Sequence, residues 1–203
     1  HLNLSMNNIS FIEYGSFDSL IYLSILDLSF NKLVGLFEIG PYVRLNMIIL
    51  ESNEISELEL LKIMMNYFYS KNNILKQIPA FSKLYIKEIE LDNNRIYYIQ
   101  SNTFEDLRNL VSLTLSNNQI ESIESNSFID LRSLTNLDLS INYLTYLNET
   151  LFARTFNLKY LNLSSNKLEY LSKTELAQLR NLISLDISDN YLKIIEDFAF
   201  EQL

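Results

Sequence analysis

The chain carries little that could do covalent chemistry. Its only histidine is His1 and it has no cysteine, so a thiolate nucleophile is excluded and a Ser-His-Asp or zinc site would have to be built around His1. The spellings HExxH and GxSxG and a glycine-rich phosphate loop are all missing. Carboxylate pairs do occur, as at Glu88 and Glu90, and residues two apart on an extended segment share a face. On a regular surface such a pair reads as a solvated acidic face rather than an acid/base couple. The expectation is no enzyme, no catalytic residue, no metal site and no cofactor.

The residue type that recurs in register is asparagine. Aligned on LxLxxN, nine asparagines appear: Asn7, Asn31, Asn53, Asn72, Asn94, Asn118, Asn142, Asn166 and Asn190, spaced 24, 22, 19, 22, 24, 24, 24 and 24 residues apart. Two residues after each stands an aliphatic side chain, from Ile9 to Leu192. The period-2 LxL stretch reads as a short parallel strand with its leucines inward. The asparagine marks the turn that follows, where its amide can satisfy backbone groups left unpaired. These asparagines are therefore structural.

Phe17, Phe104, Phe128, Phe152 and Phe200, with Leu176 in one copy, fall ten residues after an asparagine and predict an aromatic spine on the convex side. Leu20, Leu107, Leu131, Leu179 and Leu203 follow at plus thirteen. The whole of 1–203 thus reads as a single solenoid of about nine repeats. Its middle, residues 40–84, is irregular: the coils shorten, Ile63 and Ser82 hold the spine positions, Pro79 interrupts, and a helical turn is possible over residues 58–65. No polar capping segment stands at either end, as expected of a stretch cut from a longer array.

This pattern is the leucine-rich-repeat signature, and it covers essentially all of the chain. The 24-residue form with its phenylalanine spine resembles the repeats of extracellular leucine-rich-repeat proteins: Toll-type receptors, slit-like and chaoptin-like adhesion proteins, and insect immune proteins. The resemblance implies an α/β repeat fold, a horseshoe solenoid with a parallel concave β-sheet and a mostly irregular or 3-10 convex side. It also implies a secreted or cell-surface recognition module in innate immunity or cell adhesion. The cysteine-rich caps of those proteins are missing here. The alternative is an intracellular scaffold of the phosphatase-regulator type, which the shorter central coils and missing cysteines suit.

Twenty-five acids against 16 bases give a net charge of −9, which repels phosphate backbones and anionic lipid and disfavours a nucleic-acid partner. The longest apolar runs, such as residues 47–50, fall far short of the roughly 18 residues of a spanning helix. The partner class left is protein. Counted back from each asparagine, the outward strand positions place eight carboxylates (Asp27, Glu51, Glu88, Glu90, Asp92, Asp138, Asp186, Asp189) around one lysine, Lys71. Beside them Phe30, Met47, Ile49 and Phe68 fall where water would otherwise touch the strands. These four are either apolar anchors of a protein-binding face with a charged rim, or packing for the short central coils. On the first reading, serine at Phe68 and Ile49 weakens binding without unfolding the array.

Glycosylation sequons begin at Asn3, Asn8, Asn148 and Asn162. Asn148, just past the inward Leu147, is the best acceptor candidate. A glycan on Asn162 would obstruct the concave face.

Overall fold

The computed structural model describes residues 1–35, 39, 42–58, 65–81 and 85–203. The described residues form thirteen strands: β1 (Leu2–Asn3), β2 (Ile25–Asp27), β3 (Met47–Ile49), β4 (Tyr67–Tyr69), β5 (Glu88–Glu90), β6 (Tyr98–Ile99), β7 (Ser112–Thr114), β8 (Ser122–Ile123), β9 (Asn136–Asp138), β10 (Tyr160–Asn162), β11 (Tyr170–Leu171), β12 (Ser184–Asp186) and β13 (Ile194–Ile195). One nine-stranded sheet runs β1-β2-β3-β4-β5-β7-β9-β10-β12, while β6 with β8 and β11 with β13 make two small sheets one step further along the coils. The pairings of the large sheet are parallel. This is a solenoid, with each coil contributing one strand to the concave side. Among the described residues there is no helix, and the convex side is built from successive turns, closed by i→i+3 bonds such as Leu107 N–H to Phe104 C=O and Leu131 N–H to Phe128 C=O.

Strand periodicity sorts the side chains. The middle residues Leu26, Ile48, Phe68, Ile89, Leu113, Leu137 and Leu161 are buried, and their neighbours on either side face out. Short strands of this kind hold no structure alone, so each coil depends on burying its inner face against the next.

The coils are locked at the turn after the strand. In all nine the residue before the ladder asparagine has positive φ, between 50° and 57°: Met6, Phe30, Ser52, Asn72, Asn93, Asn117, Ile141, Ser165 and Asp189. A left-handed conformation is costly for any residue with a Cβ, most of all for Phe30 and Ile141. The asparagine compensates. Asn118 Oδ1 accepts the Ile96 N–H of the preceding coil at 3.0 Å, and its Nδ2 donates to Leu91 C=O of that coil at 3.0 Å and to Leu115 C=O of its own at 3.1 Å. The same bonds recur at Asn142, Asn166 and Asn190.

In the fourth coil the ladder residue is Asn73, not the expected Asn72. Asn73 Oδ1 accepts Ile55 N–H at 3.0 Å and its Nδ2 donates to Leu50 C=O at 2.9 Å. Asn72 is exposed and occupies the positive-φ position. The aliphatic residue two further on is accordingly Leu75, 1% exposed, rather than Ile74. A slip of one residue exchanges the two faces of a strand. It turns Phe68 and Ser70 inward and Tyr67 and Tyr69 outward. Two neighbouring positions enforce it: Met65 and Phe81 are both buried at 2%, and Phe81 packs edge-on against Phe68 at 5.2 Å between ring centroids.

The aromatic spine is present. Phe104, Phe128 and Phe152 are buried and stack at 5.8 and 6.3 Å. Phe17 and Leu176 are buried as well, whereas Phe200, Leu20 and Leu203 are 42%, 37% and 40% exposed, since an end coil has a neighbour on one side only. Ile63, Ser82 and the possible helical turn over 58–65 lie outside the described residues, apart from the buried Leu58 and Met65.

The ladder register is testable by denaturation. Asn73→Ala should cost roughly 2–3 kcal/mol, because it leaves buried backbone groups of two coils unpaired, while Asn72→Gly, at a φ that glycine adopts freely, should stay within about 0.5 kcal/mol.

Candidate protein-binding face

Outward positions on the concave sheet form three columns, six, four and two residues before the ladder asparagine. In four of the nine coils the second and third columns hold an internal device, and Asp138 makes the N–H half of it to Ser140. An Asn or Asp oxygen accepts both the N–H and the hydroxyl of the serine two residues on, as in Asp27–Ser29 at 3.0 and 2.6 Å and Asn162–Ser164 at 3.0 and 2.8 Å. Asn3–Ser5 and Asp186–Ser188 repeat it. Such positions are closed on themselves and offer a partner little.

The four consecutive coils of β3, β4, β5 and β7 lack it, and no serine stands in either column in the first three. There the second column reads Ile49, Tyr69, Glu90 and the third Glu51, Lys71, Asp92. The first column, in register across β2 to β5, runs Ile25, Met47, Tyr67, Glu88. The Tyr67 and Tyr69 rings lie 6.4 Å apart, and Tyr69 Oη donates to Glu88 Oε2 at 3.3 Å. Burial, then the charge and hydrogen bond of Glu88, push the Tyr69 phenol above its ordinary pKa, so it stays a neutral donor. The result is an apolar ledge of Ile25, Met47, Ile49, Tyr67 and Tyr69 edged by charge.

The charged edge is internally wired. Lys71 Nζ lies 2.7 Å from Glu90 Oε2 and 3.7 Å from Asp92 Oδ2. Burial opposes its charge, but the Glu90 bond and the carboxylates of Glu90, Asp92 and Glu51 prevail and hold its pKa above the usual lysine value. Asp92 accepts Thr114 Oγ1 at 2.6 Å and both the N–H and the hydroxyl of Ser116 at 2.8 Å, performing for the next coil the service that Asp27 performs within its own. Glu51 is half-buried, and loss of water raises its pKa, with Lys71 opposing and Glu90, Asp27 and Asp92 adding to the rise.

The expected site residues therefore divide. Met47, Ile49, Glu51, Lys71, Glu88 and Glu90 do meet on one face. Phe68 does not belong to it: it is fully buried, because the one-residue shift of the ladder turns it into the core. Asp92 is 8% exposed and engaged with Thr114 and Ser116, so it shapes the edge rather than offering a free carboxylate. Phe30 is 51% exposed, but at the positive-φ turn rather than on a strand; Ile141, also 51% exposed, occupies the same position in a regular coil. Tyr67 and Tyr69 were missed for the same reason that Phe68 was included. Ile78, which fits the inward position five residues after Asn73 as Ile123 does after Asn118, is the sequence signal that would have set the register.

Residues 85–144, 132–192 and 157–203, together more than half of the chain, match the family described as leucine rich repeat. The chain belongs to the leucine-rich-repeat family. No curated protein sequence matches it. Among solved structures, this leucine-rich-repeat chain superposes on a TLR13–ssRNA13 complex at TM-score 0.76 and 28% identity over 85% of its length, on the glycosylated Drosophila Toll–Spatzle complex at 0.74 and 25% over 97%, and on an octameric complex of Latrophilin 3, Unc5D and the FLRT2 repeats at 0.72 and 23% over 85%. The last likeness shows the fold alone. The chain spans only 26%, 31% and 54% of those proteins' chains. Because the first of them is in complex with RNA, the fold does not exclude a nucleic-acid ligand, and the expectation against one rests on charge alone.

Two of the four sequons differ in what their amides do. Asn148 is half-buried on a turn, and its Oδ1 accepts Thr150 N–H and Oγ1 at 3.0 and 2.9 Å. Asn162 sits on β10 between paired strands, with Nδ2 3.5 Å from Asp138 Oδ2. Asn8 is exposed, and so is Asn3 on β1. Among the described residues no His/Cys/Asp/Glu cluster suited to a metal ion is present, and no helix is long and apolar enough to cross a membrane.

Replacing Phe68 and Ile49 separately tells core from surface. Phe68→Ser should lower stability by about 3–5 kcal/mol or more, as a large buried ring is lost; Ile49→Ser should change it by less than about 1 kcal/mol and leave the far-ultraviolet circular dichroism unaltered.

Proposed function

We propose that this chain is a non-enzymatic protein-recognition module of an extracellular leucine-rich-repeat protein, secreted or on the cell surface, serving innate immunity or cell adhesion. The observation that carries the reading is the apolar ledge on β2 to β4 edged by Glu51, Lys71, Glu88 and Glu90. On a sheet where the coils of β1, β2, β10 and β12 close their outward positions with Asp–Ser and Asn–Ser pairs, it is where a partner can bury surface. Aromatic and aliphatic anchors inside a charged rim are the anatomy of a protein-binding hot spot. Support for the biological setting comes from the Toll–Spatzle complex, a protein assembly described as a hub in Drosophila development and innate immunity. The net charge of −9 favours protein over nucleic acid as the ligand.

A photo-crosslinking residue in place of Tyr67 tests the face directly. Expressed by insect cells, that variant should give a discrete protein adduct at the cell surface or in the medium, and the same residue at the solvent-exposed Tyr22 should not. Equal adducts from both positions, or none from Tyr67, would refute the proposal.

An extracellular route also makes Asn148 the expected glycan carrier among the sequons, since its amide oxygen is held by the sequon's own Thr150 and its amide nitrogen makes no bond among the described residues, and makes Asn162, on a paired strand of the concave sheet, a poor one. Glycosidase treatment of the secreted chain should give a mobility shift that Asn148→Gln abolishes and Asn162→Gln leaves. No shift, or a shift that Asn148→Gln leaves unchanged, would remove Asn148 as the acceptor.

A further inference from the structure

Resting on that reading of the concave face, we infer that its partner presents a basic segment: an apolar side chain seated on Met47, Ile49, Tyr67 and Tyr69, with a neighbouring Lys or Arg reaching Glu51. The inference starts from hydrogen-bond accounting. Around the ledge, Asp27 is held by Ser29, Glu88 by Tyr69, Glu90 by Lys71, and Asp92 by Thr114, Ser116 and Lys71. The Glu51 carboxylate has no hydrogen bond or ion pair among the described residues, although it stands half-buried in the third column, where most coils carry a serine.

A carboxylate withdrawn from water and left unpaired is unfavourable. Lys71, the one cation near it among the described residues, is already committed to Glu90 and Asp92. A partner cation satisfies Glu51 and lowers the net negative charge of the ledge in a single contact. An arginine does this with two parallel bonds, a lysine with a point charge.

Charge also decides against the other occupants. An RNA backbone would bring phosphate towards Asp27, Glu51, Glu88 and Glu90. A second copy of this chain docked through the same patch would set these carboxylates against themselves.

Panning a phage-displayed random dodecapeptide library on the intact chain tests the inference. Enriched peptides should carry Lys or Arg flanking a large apolar residue. Their affinity should fall roughly tenfold or more with Glu51→Gln and with Met47→Ser, and stay within about twofold with Asp186→Asn on a distant coil. Glu51→Gln is nearly isosteric, so an unchanged melting curve separates lost contact from lost fold.

Acidification adds a readout. Free Glu51, whose neighbours are Asp27, Lys71, Glu90 and Asp92, has its pKa raised by burial and by the surrounding carboxylates, against the pull of Lys71, so it takes up a proton at a higher pH than an ordinary glutamate. Binding should therefore weaken as the pH is lowered towards the carboxylate range in the parent chain, and less so in Glu51→Gln. Enriched peptides that lack basic residues, or that bind Glu51→Gln as well as the parent, overturn the inference; if Met47→Ser still abolishes their binding, the protein-binding face itself stands. Peptides indifferent to Met47→Ser, no enrichment at all, or tighter binding of a single-stranded RNA oligonucleotide at the same face count against both.

Discussion

The structure depends on how a chain can turn sharply after every three-residue strand without leaving backbone groups unpaired. Each coil solves this with one amide. The residue before it is forced to positive φ, a conformation that neither Phe30 nor Ile141 would adopt unaided. From the second coil on, the asparagine holds it there by accepting from the coil before and donating to carbonyls of both coils. Lateral stacking and turn geometry are thus the same set of bonds. That is why the spacing can vary on the convex side while the asparagine recurs in every coil.

Because the ladder fixes the turn, the strand face before it is free to vary, and its variation is organised. Most coils use their outward positions to brace themselves, an Asx oxygen holding a serine. From β3 to β5 that bracing is replaced by Ile49, Tyr69 and Glu90 beside Glu51, Lys71 and Asp92. Part of the bracing is then recovered across coils, with Asp92 holding Thr114 and Ser116. A solenoid tolerates this because its stability is a sum over neighbours, and a local loss is borne by the adjacent coils.

Much of this was legible in the sequence. Eight of the nine ladder residues, the parallel concave sheet and the aromatic spine follow from spacing alone, because each rests on an apolar periodicity that physics enforces in every coil. The fourth coil was not legible for a specific reason. Tyr67-Phe68-Tyr69-Ser70-Lys71-Asn72-Asn73 offers two asparagines and an unbroken aromatic run. Two tyrosines at the leucine positions look more apolar than Phe68 with Ser70. Burial of Met65, Leu75 and Phe81 decides otherwise, and Ser70 is accommodated inside because Asn73 Nδ2 reaches its hydroxyl at 3.3 Å. The ledge proposed as a binding face overlaps the coils that the outward positions single out, but that reading puts the interior Phe68 at its centre and leaves out Tyr67 and Tyr69. Charge pairing was not legible either, since no spacing rule says that Lys71 turns to Glu90 and Asp92 and leaves Glu51 unpaired.

Everything said of the face depends on that one register, and a chain without cysteine allows it to be measured cleanly. Single cysteines at Tyr67, Phe68, Tyr69 and Ser70 can be challenged with a water-soluble thiol reagent under native conditions. Cysteines at Tyr67 and Tyr69 should react close to the rate of a free thiol, while those at Phe68 and Ser70 should be protected until denaturant is added. The opposite alternation would place Phe68 on the surface, make Asn72 the ladder residue, and remove the tyrosine ledge on which the binding face is built.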